Sequence, residues 1–367
     1  MIEQVWRTVW APGRVNLIGE HTDYQDGWCL PIAIELGTTV KFRSTTSGYS
    51  TITSNRFDGI VRVSAHMLNA PPDPPNQPSW GAGVRSIIAA LTERGHEVED
   101  IDAEVTSDVP LGGGLSSSAS FMVALAMAFT YRAESVPTAL AGVELAHTAQ
   151  RAEHINGVPC GIMDQMASVF GQAQHAVLID CRSTETELVR VPDSLGVIVI
   201  HSGLPRTLAD SQYAQRRAAC AAACERLGIS ALRDAHLSQV FDDPFARHVV
   251  SENARVHEFV AAMKANDPTT LGTILNASHR SLANDFAVST SELDTLCEIL
   301  NVCGAYGARV TGAGFGGCVV ALAPQSEALA IAQESARQYR ELTGLEPLSF
   351  TTPASAGATI RTPLEQS

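Results

Sequence analysis

The sequence predicts an α+β protein of two domains. Its 367 residues exceed the ~250–300 at which a single hydrophobic core stops growing. Hydrophobic residues make up 45% of the chain and charged residues 17%, enough apolar material for two cores and too little charge for disorder. Within each half, strand-like alternation comes first and helical periodicity follows, which favours separate layers over a regular βαβ repeat.

The elements follow in chain order. Thr38–Arg43 and Ile60–Ser64 alternate with the period of a strand. Pro71–Pro78 holds five prolines in eight positions and reads as a loop. Trp80, Val84, Ile87, Ile88 and Leu91 recur at helical spacing and predict a helix over 79–94. Ile101–Ser107 alternates again and runs into Pro110 and a glycine-rich turn, after which 117–130 and 138–154 read as helices. Strand signals return at Ala176–Asp180 and Gly196–His201. In the second half, 209–227, 248–265, 271–283 and 291–303 are helical in period; short strands at 308–311 and 317–322 flank a second glycine cluster. A helix over 327–343 and a strand over 347–351 close the series. The polar stretch 181–194 separates two strand signals, and the domains are divided there as 1–185 and 186–367.

Charge narrows the partners. The balance of 25 Lys+Arg against 39 Asp+Glu gives a net charge of −14, without the basic footprint of a general nucleic-acid binder. No apolar run reaches the ~18–20 residues of a membrane span. The first residues, Met1 to Arg7, show neither half of a signal peptide, so a soluble cytoplasmic protein is expected. The eight cysteines form no CxxC pair and no zinc-like spacing with histidine, and read as reduced core thiols. Cys220 and Cys224, four apart on a helix, could face one way as soft ligands, yet the same spacing suits a helix packed in a core.

The strongest local signal is Asp108-Val-Pro-Leu-Gly-Gly-Gly-Leu-Ser-Ser-Ser-Ala-Ser120. Gly112, Gly113 and Gly114 allow close backbone approach to a ligand. Ser116, Ser117 and Ser118 then open a helix whose first N–H groups are unpaired and whose dipole favours anions. A plain glycine turn with a serine cap would need fewer of both residues. The chain has only two lysines, Lys41 and Lys264, so there is no Walker-A Gly-Lys-Ser/Thr. The protein-kinase motifs are also missing, and Gly112–Gly114 lack the G-x-G-x-x-G spacing of a dinucleotide fold, with no suitable acidic strand end following. A triphosphate held here would rely on backbone amides, hydroxyls, a metal ion and arginine.

Pro110-x-x-x-Gly-Leu-x-Ser-Ser-Ala119 resembles the central motif of the GHMP small-molecule kinases. Gly13-Arg-Val-Asn-Leu-Ile-Gly-Glu-His-Thr-Asp-Tyr24 resembles the signature of the galactokinase family, and Cys160-Gly-Ile-Met-Asp-Gln165 is similar to the segment that bears its catalytic aspartate. Gly312-Ala-Gly-Phe-Gly-Gly317 resembles the third GHMP motif. The resemblance spans residues 7 to 351. It implies a two-lobed GHMP kinase fold, with a ribosomal-protein-like N-terminal domain, a ferredoxin-like C-terminal domain and the site in the cleft between them. It also implies a monomer that uses ATP and Mg²⁺ to phosphorylate the anomeric hydroxyl of galactose.

Residue roles are carried over on the same terms. Arg14 and Asp164 would be catalytic, with Asp164 facing the attacking hydroxyl as either a base or an orienting group. Glu20, His21, Asp23, Gly161 and Tyr213 would contact the sugar. Gly112–Gly114 and Ser116–Ser118 would hold phosphate, with Ser118 and Glu153 as Mg²⁺ ligands. Trp80 occupies the position of an adenine-side tryptophan, and its spacing equally suits a helix core aromatic.

Some positions depart from the family pattern. After the 197–200 strand, galactokinases show a basic residue followed by His, whereas this chain has His201-Ser-Gly-Leu-Pro-Arg-Thr-Leu208. The basic residue is displaced to Arg206, and His201 reads either as a ligand contact or as a strand-end structural residue. Gly83 stands where the family carries an aromatic. Three other readings remain in view: a GHMP kinase for another hexose or an N-acetylhexosamine, a galactose sensor without turnover, and a dinucleotide-dependent oxidoreductase.

Overall fold

A computed structural model describes residues 5–64, 77–131, 140, 142–204 and 209–361, the side chains of 209–211 excepted. The proline-rich 71–76, the start of the helix expected from 138, and Arg206 lie outside the described residues.

The first half is built on a six-stranded sheet. Its strands are β1 (Arg7–Asn16), β3 (Pro31–Ser44), β4 (Ser50–Ser54), β5 (Val61–Val63), β6 (Ile101–Ser107) and β13 (Thr359–Arg361), in the order β13-β1-β3-β6-β4-β5. Only β4 and β6 run parallel; the other pairs are antiparallel. Helices α1 (Gly81–Glu93), α2 (Ser117–Phe129), α3 (Gly142–Ile155) and α4 (Met163–Phe170) accompany it. Their apolar faces and the sheet make one core around Phe42, Ile87, Leu125 and Phe129. A three-stranded antiparallel sheet, β2 (Trp28–Cys29), β7 (His175–Asp180) and β8 (Thr186–Arg190), lies beside it.

The second half carries an antiparallel four-stranded sheet in the order β10-β11-β9-β12, made of β9 (Leu195–His201), β10 (Gly307–Thr311), β11 (Cys318–Pro324) and β12 (Leu348–Thr351). Its helices are α5 (Ala209–Leu227), α6 (Pro244–Lys264), α7 (Pro268–Asn284), α8 (Ser291–Val302) and α9 (Ala328–Thr343). Asp243, Asp267 and Thr290 cap α6, α7 and α8 through side-chain acceptors, and proline opens α6 and α7.

The polar stretch 181–194 contains β8, which the sequence reading took for a separator. Only Val189 of that strand is buried, so its composition looks like a linker while its backbone completes a hairpin. A cut after residue 185 would part β7 from β8. The halves also interleave elsewhere: β13 returns to the edge of the first sheet, and one core joins Val15, Leu17 and Ile34 to Phe259, Leu271 and Val320. Among the described residues no helix is long and apolar enough to cross a membrane.

Candidate active site

Strand β1 sets the centre of the site. Its pairing with β3 shifts between Pro12 and Arg14, an irregularity that re-aims the following side chain. Gly13 makes this possible, because a Cβ there would stand 2.5 Å from the Leu115 carbonyl oxygen. The Arg14 N–H donates to that same oxygen at 3.1 Å, which laces the glycine loop onto the strand. The Arg14 guanidinium then donates from Nε to Asp164 Oδ1 at 2.8 Å and to the Gly114 carbonyl. Ser116, in the left-handed region at φ 62 and capping α2, donates its hydroxyl to the other Asp164 oxygen at 2.6 Å. Asp164 lies in the first turn of α4. Three sequence-distant segments therefore converge on one carboxylate. Burial alone would lower the Arg14 pKa; Asp164 and Glu20 outweigh it and raise it, so the arginine stays charged.

The signature segment Gly13–Tyr24 turns immediately after β1. Gly19, at φ 93, has no room for a side chain, since a Cβ would meet the Trp28 carbonyl oxygen at 2.5 Å. Glu252 of α6 lies beneath this turn and accepts from the Gly19 and Glu20 N–H groups at 3.0 and 3.3 Å. His248, one turn earlier on α6, donates from Nε2 to the Glu20 carbonyl at 3.1 Å. The Glu20 carboxylate takes Arg309 Nη1 at 2.8 Å and Asn16 Nδ2 at 3.2 Å. His21 meets the Tyr24 hydroxyl at Nδ1 and the Ala313 carbonyl at Nε2, at 3.0 and 3.3 Å. The carbonyl can only accept, so Nε2 carries the proton, and burial pulls the His21 pKa down to about 3. This neutral ring ties the first half to the second glycine cluster.

Burial pushes the Asp23 carboxyl up to about 6, with Asp164 adding to the shift and Arg217 opposing it. Gly161 passes directly against Asp23: a Cβ there would be 1.8 Å from Oδ2. Tyr213 of α5 packs edge-on to Tyr24, with ring centres 5.7 Å apart. Glu20, His21, Asp23, Gly161 and Tyr213 all line a cavity of about 460 Å³ together with Arg14 and Asp164. Gly112, Gly114 and Ser116–Ser118 line another side of the same cavity, and Gly312 and Ala313 enter it from the second half.

Glu153 of α3 is buried beside this wall. Its carboxylate accepts from Gln165 Nε2 and from the Cys160 thiol, and Ser118 also bonds it; burial pushes its pKa up to about 6. Among the described residues no group of three or more His, Cys, Asp or Glu is arranged to hold a metal ion. Magnesium needs less, commonly one or two carboxylates with waters and substrate phosphates. The Glu153 carboxylate, just behind the cavity and bonded by the exposed Ser118 hydroxyl that lines it, fits that requirement.

Other expected residues take different places. Gly113 faces His201 rather than the cavity, and a Cβ there would be 3.2 Å from the imidazole Cδ2. His201 Nδ1 accepts from the Gly203 N–H at 3.0 Å, which gives it the strand-end turn role. Trp80 is not among the cavity-lining residues. It donates to the Asp58 carbonyl at 3.2 Å and stacks on Phe57 with ring centres 6.3 Å apart, and these contacts fix it at the start of α1. Beside Gly83 the space is taken by Phe121. Cys220 and Cys224 are buried core thiols.

Sequence reasoning did not reach Arg309, Glu252, His248, Asn16 or Gln165. The one signal at hand was Arg309 itself, a charged residue inside an otherwise apolar strand next to a glycine cluster.

The chain resembles known proteins along almost its whole length. The galactokinase galactose-binding signature matches residues 3–44, the GHMP kinases N terminal domain residues 83–172, and the GHMP kinases C terminal region residues 259–341. A galactokinase of Roseiflexus sp. (strain RS-1) is 42% identical over 369 residues, covering 95% of this chain and 91% of its own. One from Haemophilus influenzae (strain PittEE) is 38% identical, with 96% and 94% covered. The crystal structure of Lactococcus lactis galactokinase complexed with galactose superposes with a TM-score of 0.88 at 30% identity, covering 96% of this chain and 95% of that one. A mevalonate kinase crystal structure, at 17% identity and a TM-score of 0.68, shares the fold. With relatives this similar along almost its whole length, the chain belongs to the galactokinase family of GHMP kinases.

Proposed function

We propose that this chain transfers the γ-phosphoryl group of ATP to the anomeric hydroxyl of galactose, giving galactose 1-phosphate and ADP. The observation that carries the reading is the Arg14–Asp164 pair, set between the side chains of the sugar signature and the amides of the glycine loop in one cavity. Phosphoryl transfer passes through a loose transition state, and catalysis is mostly positioning and neutralisation of charge.

Asp164 faces the attacking hydroxyl. With one oxygen on Arg14 and the other on Ser116, its orientation is fixed before substrate enters. It orients the hydroxyl and takes its proton as the O–P bond forms. Arg14, always charged, lies between nucleophile and transferred group and offsets the negative charge on the phosphoryl oxygens. Glu20, Asp23 and Tyr213 satisfy sugar hydroxyls, while Gly161 admits the sugar against the backbone. His21, with both ring nitrogens engaged, holds the wall of Gly312 and Ala313 as it lines the sugar pocket. On the ATP side, the amides of Gly112 and Gly114, the N-terminus of α2 and the hydroxyl of Ser117 receive phosphate oxygens, while the Ser116 hydroxyl is taken by Asp164. Ser118 and Glu153 would hold Mg²⁺, which neutralises charge on the bridging phosphates when bound. Trp80 is assigned to the adenine side by the resemblance alone.

An ADP-release assay over a panel of sugars, with and without Mg²⁺, tests the proposal. Galactose is expected to give the highest turnover, and removal of Mg²⁺ to abolish it. Best turnover on an N-acetylhexosamine, or galactose binding without any ADP release, would reject it.

A further inference from the structure

We propose that Arg309, outside the cavity, is the positioning residue that makes Glu20 a sugar acceptor. This rests on the galactose reading above. Arg309 is 0% exposed and is not among the residues lining the cavity; Glu20, 2% exposed, is. Arg309 therefore reaches the sugar only by way of its neighbour.

All three guanidinium nitrogens are committed. Nε donates to the Leu17 carbonyl at 2.7 Å, Nη2 to the Asn16 carbonyl at 2.7 Å, and Nη1 to Glu20 Oε2 and the Val310 carbonyl, both at 2.8 Å. A rigid planar fork bonded at once to the backbone of 16 and 17 and to the carboxylate of 20 fixes where that carboxylate stands relative to β1. Arg14 stands on the same strand, two residues before Asn16, so the brace also sets Glu20 relative to the Arg14–Asp164 centre. Lysine carries the charge but has no fork, and could not keep these spacings.

Two neighbours make the brace an inter-lobe device. Thr311 Oγ1, on the same strand β10, donates to the Asn16 carbonyl at 3.1 Å and accepts from the Asn16 N–H at 3.3 Å. Two residues further on, the Ala313 carbonyl receives His21 Nε2. β10 and the glycine turn after it thus grip the signature segment at three points, Arg309, Thr311 and Ala313. Asn16 Nδ2 holds the second Glu20 oxygen. Each carboxylate oxygen then has one protein partner and remains able to accept from a sugar hydroxyl.

The test is a double-mutant cycle in the full chain with Glu20→Gln, Arg309→Met and both together. It reads kcat, the KM values for galactose and ATP, and thermal unfolding. Arg309→Met is expected to raise the galactose KM by ~10–100-fold, the scale of a misplaced substrate contact, with the ATP KM within about twofold of wild type. The double variant is expected to be no worse than the more damaging single, because the pair works as a unit. Arg309→Lys should fall between wild type and Arg309→Met, and it carries the same reading if Arg309→Met yields no folded protein. Effects that multiply independently, or equal rises in both KM values, would overturn the proposal. A wild-type chain that does not phosphorylate galactose would instead refute the reading on which it rests.

Discussion

Asp23 shows what a polar group inside this cleft costs. Its carboxyl is moved from an ordinary 3.8 up to about 6, mainly by burial, so between about pH 4 and pH 6 the folded protein holds a proton there that the unfolded chain has released. Stability therefore falls as pH rises from about 4 to about 6, and the penalty is complete above that window. Asp23→Asn removes the titration. The variant is expected to be more stable than wild type by ~1–3 kcal/mol at pH 8, with the difference shrinking towards zero at pH 4, as read by urea unfolding across pH. A difference that does not change with pH would contradict the assignment. Galactose binding should weaken in the same variant, since the proposed sugar acceptor loses its charge. Gly161 belongs to this economy too, because any side chain there would drive Asp23 out of place.

At the scale of elements, the site is a set of short segments held from behind. Helix α6 performs much of that work through Glu252, which accepts from two signature N–H groups, from Ser278 at 2.8 Å and from Arg255 at 2.6 Å. Burial would raise its carboxyl, but Arg255, His248 and Arg309 bring it down to about 2. Glu252→Gln keeps the shape and removes the charge. It is expected to destabilise the fold by on the order of 3 kcal/mol, because a buried pair loses one partner, and chemical denaturation measures it. A change under ~0.5 kcal/mol would show that α6 does not brace the signature through this carboxylate.

These supports also mark what could be read in advance. The glycine loop, the signature and the Asp164 segment were legible because their chemistry is contiguous in the chain. Glu252, His248 and Arg309 were not, since a buried charge looks like a surface charge until the fold supplies its partners. β1 escaped the strand reading because almost all of it is buried and Pro12-Gly13 interrupts it, so alternation never appears. α4 was taken only as a catalytic segment, being eight residues long and too short to show a period.

For the whole molecule, the α+β class and most element positions were readable, while the way the halves interlock was not. Strand β13 crossing back to β1 and the core shared by Val15 and Phe259 depend on contacts hundreds of residues apart. A common core and a cleft built from both halves make the protein one cooperative unit. Calorimetry is expected to show a single unfolding transition, raised by saturating galactose through binding to the native state only. Two resolved transitions, with only one shifted by the sugar, would mean that the halves fold independently. The cleft itself converges on Asp164, held by strand β1 and the cap of α2. The most direct measurement is turnover and calorimetric galactose binding in Asp164→Asn. Turnover is expected to fall by ~10²–10⁴-fold while galactose affinity stays within a few-fold of wild type. Turnover close to that of wild type would contradict the role given to the Arg14–Asp164 pair, and with it the account of the site.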